Sequence, residues 1–525
     1  MNRARLPFLF CPWWCFLGPF SLAAGCGAEG PGPAPAGTLL VVATPALREA
    51  AAAYGAFRQQ AGFRVEFSVN TDLAPAGTPL SDRVAARVRE FADAIDPRAP
   101  GFVLIIGDAD ETAPEDPAFI PVRRVSGGVV NYTWTQVGDG PYADLDGDLV
   151  PDLAIGRLPF RNAGQLEAYR ERLRAHEASY RPGPWNKTLA TFAGEGGFGP
   201  EIDGMLEMVA GWVFDEMSYD FDLSMTYASP SSAFHLPYGA WEDHYRKTAQ
   251  AGALAIPYVG HTLGAIDCCE GEPPARRGLN AFFSCSDGSF QVNWAENPYL
   301  SLAEELLLRS QGPIATLAAT DVSHPYGNAI LPRELGHALL DLRPATYGQA
   351  VLQMKRGAVY RLDELRTTID QAAGLYTSEP LDQLVLEHVV MYNLLGDPTA
   401  PTHISPASVT LDPPPAPPPS GGSLEVAGAA PDVGQGTVEV TFELTRTRLK
   451  EGIADCSAGC SAEQYASNHG LANDKVLARA SGAVQAGRFQ VTLELPALST
   501  GTYHLKAFAE NDTLDAVGSR AVDVP

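Results

Sequence analysis

Three apolar runs of this chain end in residues that can do chemistry. Leu189–Ala193 is followed by Gly194-Glu195-Gly196-Gly197, Ala253–Val259 by Gly260-His261, and Ala281–Ser284 by Cys285-Ser286-Asp287-Gly288. A thiol, an imidazole and a carboxylate can act as nucleophile, base and orienter, provided the fold brings them together. In open parallel sheets functional groups gather at the carboxyl ends of strands, which is where these three stretches would lie. The flanking glycines allow tight turns and close approach of a substrate backbone.

A second constellation is acidic. Asp144, Asp146, Asp148 and Asp152 alternate around Gly147, and such carboxylates can wrap a hard cation, since Ca²⁺ takes 6–8 oxygen ligands. The spacing is not that of an EF-hand, and a solvated acidic turn has the same composition. His324 near Asp321 and His337 after Glu334 lack a zinc spacing such as H-E-x-x-H. Cys456-x-x-x-Cys460 has no third and fourth ligand close by and reads as a loop disulfide.

The elements that must position these groups follow from periodicity. Thr38–Ala43 is a continuous apolar run of buried-strand type, and Pro45 opens an alanine-rich helical stretch to Gln60. Phe63–Val69 reads as a strand, about 81–95 as a helix, Phe102–Ile106 as a strand and about 164–180 as a helix. Strand-like runs recur at 189–193, 253–259, 281–284 and 314–319. This alternation predicts an α/β fold, a mostly parallel sheet flanked by helices. A proline-rich spacer over 405–422 follows, after which helical periodicity stops. Short β-type segments from 437 to 524 then predict a C-terminal all-β sandwich of immunoglobulin-like type over 423–525.

Composition bounds the rest. At about 100–200 residues per domain, 525 residues suggest three or four compact units. With 45% hydrophobic and 19% charged residues, the chain can bury a sizeable core. A net charge of −25 lacks the basic footprint that nucleic acid or anionic lipid requires. Arg3 and Arg5 precede an uncharged apolar stretch from Leu6 to Ala24, read as an export signal over 1–26. Its exit, Leu22-Ala23-Ala24-Gly25-Cys26, resembles a bacterial lipobox, which would make Cys26 a lipid anchor; simple cleavage is the alternative. A Pro/Gly tether over 27–37 comes next. In an oxidising compartment Cys456 and Cys460 can close a ring, and Cys285 is left as the candidate free thiol. Bridging the adjacent pair Cys268 and Cys269 would be strained.

Over about 38–404 the chain resembles the gingipain-type cysteine peptidases, relatives of caspases and legumains. The likeness is carried, in order, by FVLIIGD at 102–108, YADLDGDLVPDLAIGRLP at 142–159, His261, FFSCSDGSF around Cys285, and Leu395-Gly396-Asp397-Pro398. It implies a caspase-like fold in two subdomains, 38–183 and 184–404. It also implies an exported cysteine endopeptidase acting on protein or peptide substrates without an organic cofactor. Cys285 is then the nucleophile, His261 the acid–base and Glu195 the acid that supports it. Thr262 stands where family members usually have glycine, and its N–H can still complete an oxyanion hole with that of Cys285. Arginine-selective members place an acid at the base of the pocket for the residue before the scissile bond. Ungapped, that position falls on Leu206; Asp203 or Glu201 serves only with a gap, so Asp203 is the substrate-binding candidate and arginine specificity is not carried over. The calcium that gingipains carry favours a Ca²⁺ site at Asp144, Asp146, Asp148 and Asp152. Two other readings share these residues: a catalytically silent surface binding or adhesion protein, and a sorting transpeptidase that hands the thioester to an amine.

Overall fold

Strand pairing in the central sheet is parallel throughout except between its two middle strands. The computed structural model describes residues 36–525 other than 75–76, 97, 127–134, 198, 267–268, 270–275 and 293–299. The export signal, Cys26, most of the tether and Cys268 lie outside the described residues. The strands are β1 (Gly37–Ala43), β2 (Phe63–Val69), β3 (Gly101–Ile106), β4 (Arg123–Ser126), β5 (Thr135–Gly138), β6 (Ala154–Leu158), β7 (Thr188–Ala193), β8 (Asp222–Tyr227), β9 (Ala255–Val259), β10 (Leu279–Phe283), β11 (Ala315–Ala319) and β12 (Tyr392–Leu395). Ten of them form one sheet in the order β2-β1-β3-β6-β12-β11-β10-β9-β7-β8, with β12 antiparallel to β11; β4 and β5 form a separate hairpin. This is the expected mixed α/β architecture.

Burial explains why the apolar runs become strands. All seven residues of β1 are buried, as a strand covered by helices on both faces requires. Helix Arg48–Gln60 turns Ala51, Tyr54 and Phe57 onto the sheet, which is the stripe its alanine-rich pattern predicts. The one charge wholly buried on β6, Arg157, is held by Asp139 through two bonds of 2.6 and 2.7 Å and donates to the carbonyls of Gly107 (2.9 Å) and Ile120 (3.0 Å). A buried ion so fully bonded avoids the large penalty of an unpaired one.

Two further sheets follow. Their strands are β13 (Ala407–Ser408), β14 (Thr410–Leu411), β15 (Gly422–Ala429), β16 (Gly436–Leu444), β17 (Val476–Val484), β18 (Arg488–Leu495), β19 (Gly501–Glu510) and β20 (Asp515–Val524). One sheet runs β13-β20-β19-β16-β17 and the other β14-β15-β18. They share an apolar core that includes Val440, Phe442, Leu493 and Leu505. Two findings differ from the sequence reading. The proline-rich stretch is more than a spacer, because its alternate apolar residues Ala407, Val409 and Leu411 are buried in that core and lend an edge to each sheet. Helical structure also returns at Ala462–Asn473, started by a reciprocal capping box between Ser461 and Gln464. Cys456 and Cys460 are disulfide-bonded in the loop before it.

This β region is fastened to the α/β unit by buried charge. Arg446 donates to the carbonyls of Phe214 (2.6 Å), Met217 (2.5 Å), Ser218 (2.7 Å) and Phe221 (3.2 Å), closing the end of helix Pro200–Glu216. Lys506 pairs with Asp222, which Lys187 also reaches at 2.9 Å. Burial raises the Asp222 carboxyl, but the two ammonium groups outweigh it and hold it well below the usual carboxylate range.

Burial also keeps four histidines neutral, lowering His176 from 6.5 to about 3 and His388, His469 and His504 to about 4. The His388 ring donates from Nδ1 to the Leu384 carbonyl (2.6 Å) and accepts the His324 N–H at Nε2 (2.8 Å). Below about pH 6.5 the unfolded chain binds protons that the folded chain refuses, so stability is full above that pH and is lost as pH falls towards 4. Calorimetry from pH 7 to pH 4 is expected to show a steadily falling thermal midpoint, with a shallower slope in His388→Gln.

Candidate active site

The three chemically loaded stretches meet because of register. Ala193 at the end of β7 pairs with Val259 at the end of β9, and Val259 pairs with Phe283 at the end of β10. Glu195, His261 and Cys285 each stand two residues beyond those aligned ends. Glycine is required at the crossing of the loops: a Cβ on Gly260 would lie 2.5 Å from the Tyr258 hydroxyl, and one on Gly194 2.7 Å from it. That hydroxyl donates to the His261 carbonyl (2.9 Å) and so locks the turn that carries the imidazole.

His261 is exposed, with Nε2 2.6 Å from the carbonyl oxygen of Gly196. That carbonyl is main chain next to Glu195, which is itself exposed and lines the same cavity as the histidine. Cys285 is a half-buried free thiol. The Ser323 N–H points at its Sγ from 3.4 Å, and the thiol reaches back to the Ser323 carbonyl at 3.6 Å. Ser323 is in turn held by Asn328 Nδ2 (2.8 Å), and Asn328 by the Tyr392 hydroxyl (2.6 Å). Ser286, directly after the nucleophile candidate, takes φ 57°, a left-handed conformation that costs a non-glycine residue energy and turns the chain sharply.

Thr262 and Cys285 are tied together by a bond of 2.6 Å from the threonine hydroxyl to the cysteine carbonyl. Asp287 secures the same junction from below. Its carboxylate accepts the Leu263 N–H (3.2 Å), the Gly264 N–H (3.3 Å) and the Ser284 hydroxyl (2.5 Å). Burial raises its pKa and those donors pull it down, leaving it above the usual value. Asp287 was visible in the sequence only as part of a turn, and Ser323, Asn328, Tyr258 and Tyr392 carried no signal at all. Their roles arise from contacts across 3 to 64 residues.

A cavity of about 500 Å³ opens beside Cys285, His261 and Glu195. Leu206 lines it, whereas Asp203 sits one turn nearer the start of helix Pro200–Glu216 and is not among the lining residues. The acidic stretch lies elsewhere, in the turn before β6. One carboxylate oxygen from each of Asp144, Asp146 and Asp152 falls within 4.8 Å of the others, while Asp148 is engaged by the Tyr360 hydroxyl. Backbone N–H groups of Gly147 and Leu149 both donate to Asp144, which shapes the turn. The Asp148 amide lowers the Asp146 carboxyl, but burial and the charges of Asp148, Asp152 and Asp144 together raise it.

A free cysteine and a histidine at adjacent ends of a parallel sheet are the working parts of a cysteine peptidase. The chain belongs to peptidase family C25, whose family model matches residues 33–403. Comparison with curated proteins finds no match. Among solved structures it is similar to the Arg-specific cysteine proteinase gingipain R (RgpB), at 14% identity over 93% of this chain and 98% of that chain, with a TM-score of 0.48. It is also similar to the complex of Porphyromonas gingivalis RgpB pro- and mature domains, at 14% identity over 93% and 100%, with a TM-score of 0.47.

Asp287→Ala is expected to lower kcat by about 10²-fold with little change in KM, as misplacement of a site by about an ångström does. Asp287→Asn, which keeps an acceptor oxygen for the loop, should retain most of the activity. Equal kcat for Ala and wild type would remove Asp287 from the account.

Proposed function

We propose that the protein is an exported endopeptidase that cleaves peptide bonds through an acyl-enzyme on Cys285. The observation that carries this reading is the common two-residue overhang of Cys285 and His261 from aligned strand ends. A neutral ring that donates Nε2–H to Gly196 keeps Nδ1 as its basic nitrogen. In the proposed reaction that nitrogen takes the Cys285 thiol proton, and the thiolate attacks the substrate carbonyl. The main-chain N–H groups of Thr262 and Cys285 receive the oxyanion. The imidazolium then gives its proton to the leaving amine as the C–N bond breaks. Water, deprotonated by the same ring, attacks the thioester; the carboxylic product leaves and the thiol is restored. Glu195, which lines the same cavity, is the proposed acid that supports the histidine.

Export is supported by the leader read over 1–26, with a lipid on Cys26 as the proposed point of attachment to a membrane. Among the described residues no helix is long and apolar enough to cross one. We also propose that Asp144, Asp146 and Asp152 hold Ca²⁺ in a structural role. Their donor set is all carboxylate oxygen, close enough to surround an ion whose ligands sit about 2.3–2.6 Å away.

Cys285→Ala is expected to abolish hydrolysis of a mixed peptide library with the circular dichroism spectrum unchanged. His261→Ala should lower kcat by about 10²–10⁴-fold. Appreciable cleavage by the cysteine variant would sink the proposal. Dialysis against EDTA is expected to lower the thermal midpoint, with recovery on adding Ca²⁺ and not on adding buffer alone. An unmoved midpoint, with no metal in the purified protein by elemental analysis, would dispose of the calcium site.

A further inference from the structure

The cavity beside Cys285 has a composition that speaks to substrate. It runs between helix Pro200–Glu216, the sheet, and helix Pro325–His337. From the first helix it receives Leu206, Val209, Ala210, Val213 and Phe214, with Met217 just past its end, at the i, i+3, i+4, i+7, i+8 spacing of an amphipathic stripe. Such a stripe normally presses into a filled core, because protein interiors leave few voids larger than a water molecule. Here it faces open space of about 500 Å³, walled opposite by Met225 on β8 and by Pro332. An apolar gap of that size forfeits packing contacts along its whole lining unless something enters to make them.

What can enter is decided by where the gap opens. Cys285, His261 and Gly260 belong to its lining, so the occupant reaches it past the reacting atoms. Its charged lining residues among those described are Glu195, exposed, and Glu207, half-buried. Both, together with Asp203, act on the hydroxyl of Tyr227, which also lines the cavity. Val213, Phe214, Met217 and Met225 are each at most 8% exposed and offer no polar side-chain group. A guanidinium or ammonium driven in among them would be desolvated without a partner, which is costly. A large apolar side chain would lose only water.

Resting on the reading of Cys285 as nucleophile, we infer that the enzyme cleaves after large apolar residues, with the Phe, Leu or Met side chain that precedes the scissile bond lying in this cavity. Helix Pro200–Glu216 is then the specificity wall.

The test uses the full chain and a set of otherwise identical peptides carrying Phe, Leu, Met, Ala, Arg or Lys before the scissile bond. Wild type is expected to show kcat/KM for Phe, Leu and Met about tenfold or more above that for Ala, Arg and Lys, in line with what hydrophobic pockets discriminate. Ala210→Phe, which fills the cavity, should reverse the order of the Phe and Ala peptides by a similar factor while the thermal midpoint holds or rises. Labelling of Cys285 by a peptidyl acyloxymethyl ketone, followed by mass spectrometry, runs in parallel. Preference for Arg or Lys, with Cys285 labelled, overturns the apolar pocket and leaves the peptidase reading standing. An unchanged profile in a folded Ala210→Phe variant also overturns it. Neither cleavage nor labelling removes the peptidase reading, and the inference with it.

Discussion

Ala193, Val259 and Phe283 end three neighbouring strands opposite one another, and the parallel pairing that aligns them governs everything at the site. Side chains alternate along a strand, so sliding one strand by a single residue would send its side chains to the other face and separate the groups beyond its end. With the register held, two residues of overhang suffice to bring Cys285 and His261 to one cavity. The loops then need only short braces. Tyr258 locks one turn, Asp287 secures two amides of the next, and the Thr262 hydroxyl ties that loop to the Cys285 carbonyl.

The same alignment brings distant parts of the chain into contact with the site. Ser323, which faces the Cys285 sulfur, depends on Asn328 and Tyr392, so helix Pro325–His337 reaches the thiol through two hydrogen bonds and β12 through three. On the other side, Arg446 holds the carbonyls of Phe214 and Met217, both of which also line the cavity. The C-terminal β region thus fixes the end of the helix that forms the cavity wall. This gives it a structural part in the site although none of its described residues lines the cavity.

How much of this was legible varied with how local the signal was. β2 and β18 coincide with their apolar patterns because a strand's alternation is written in its own residues. The helix at Ala462–Asn473 leaves little trace in the sequence beyond the capping signature of Ser461 and Gln464, since its apolar periodicity is weak and polar contacts such as Asn473 to Met225 help to hold it. The short strands at Ala407–Ser408 and Thr410–Leu411 were hidden by the prolines around them, which suggest a linker when sheet neighbours are out of view. Asp287 could be seen, but the two amides that it accepts lie over twenty residues away.

The sequence by itself determined the α/β class, most strand positions, the family likeness and the three strand ends worth examining. These depend on periodicity and composition, which neighbouring residues express together. Tertiary structure alone decided that β9 and β10 are adjacent, that the Gly196 carbonyl lies against His261 Nε2, and that the Leu206 stripe borders open space. Each of these is a choice among partners far apart in the chain. Such choices are made by the packing of whole elements against one another, which no window of sequence contains.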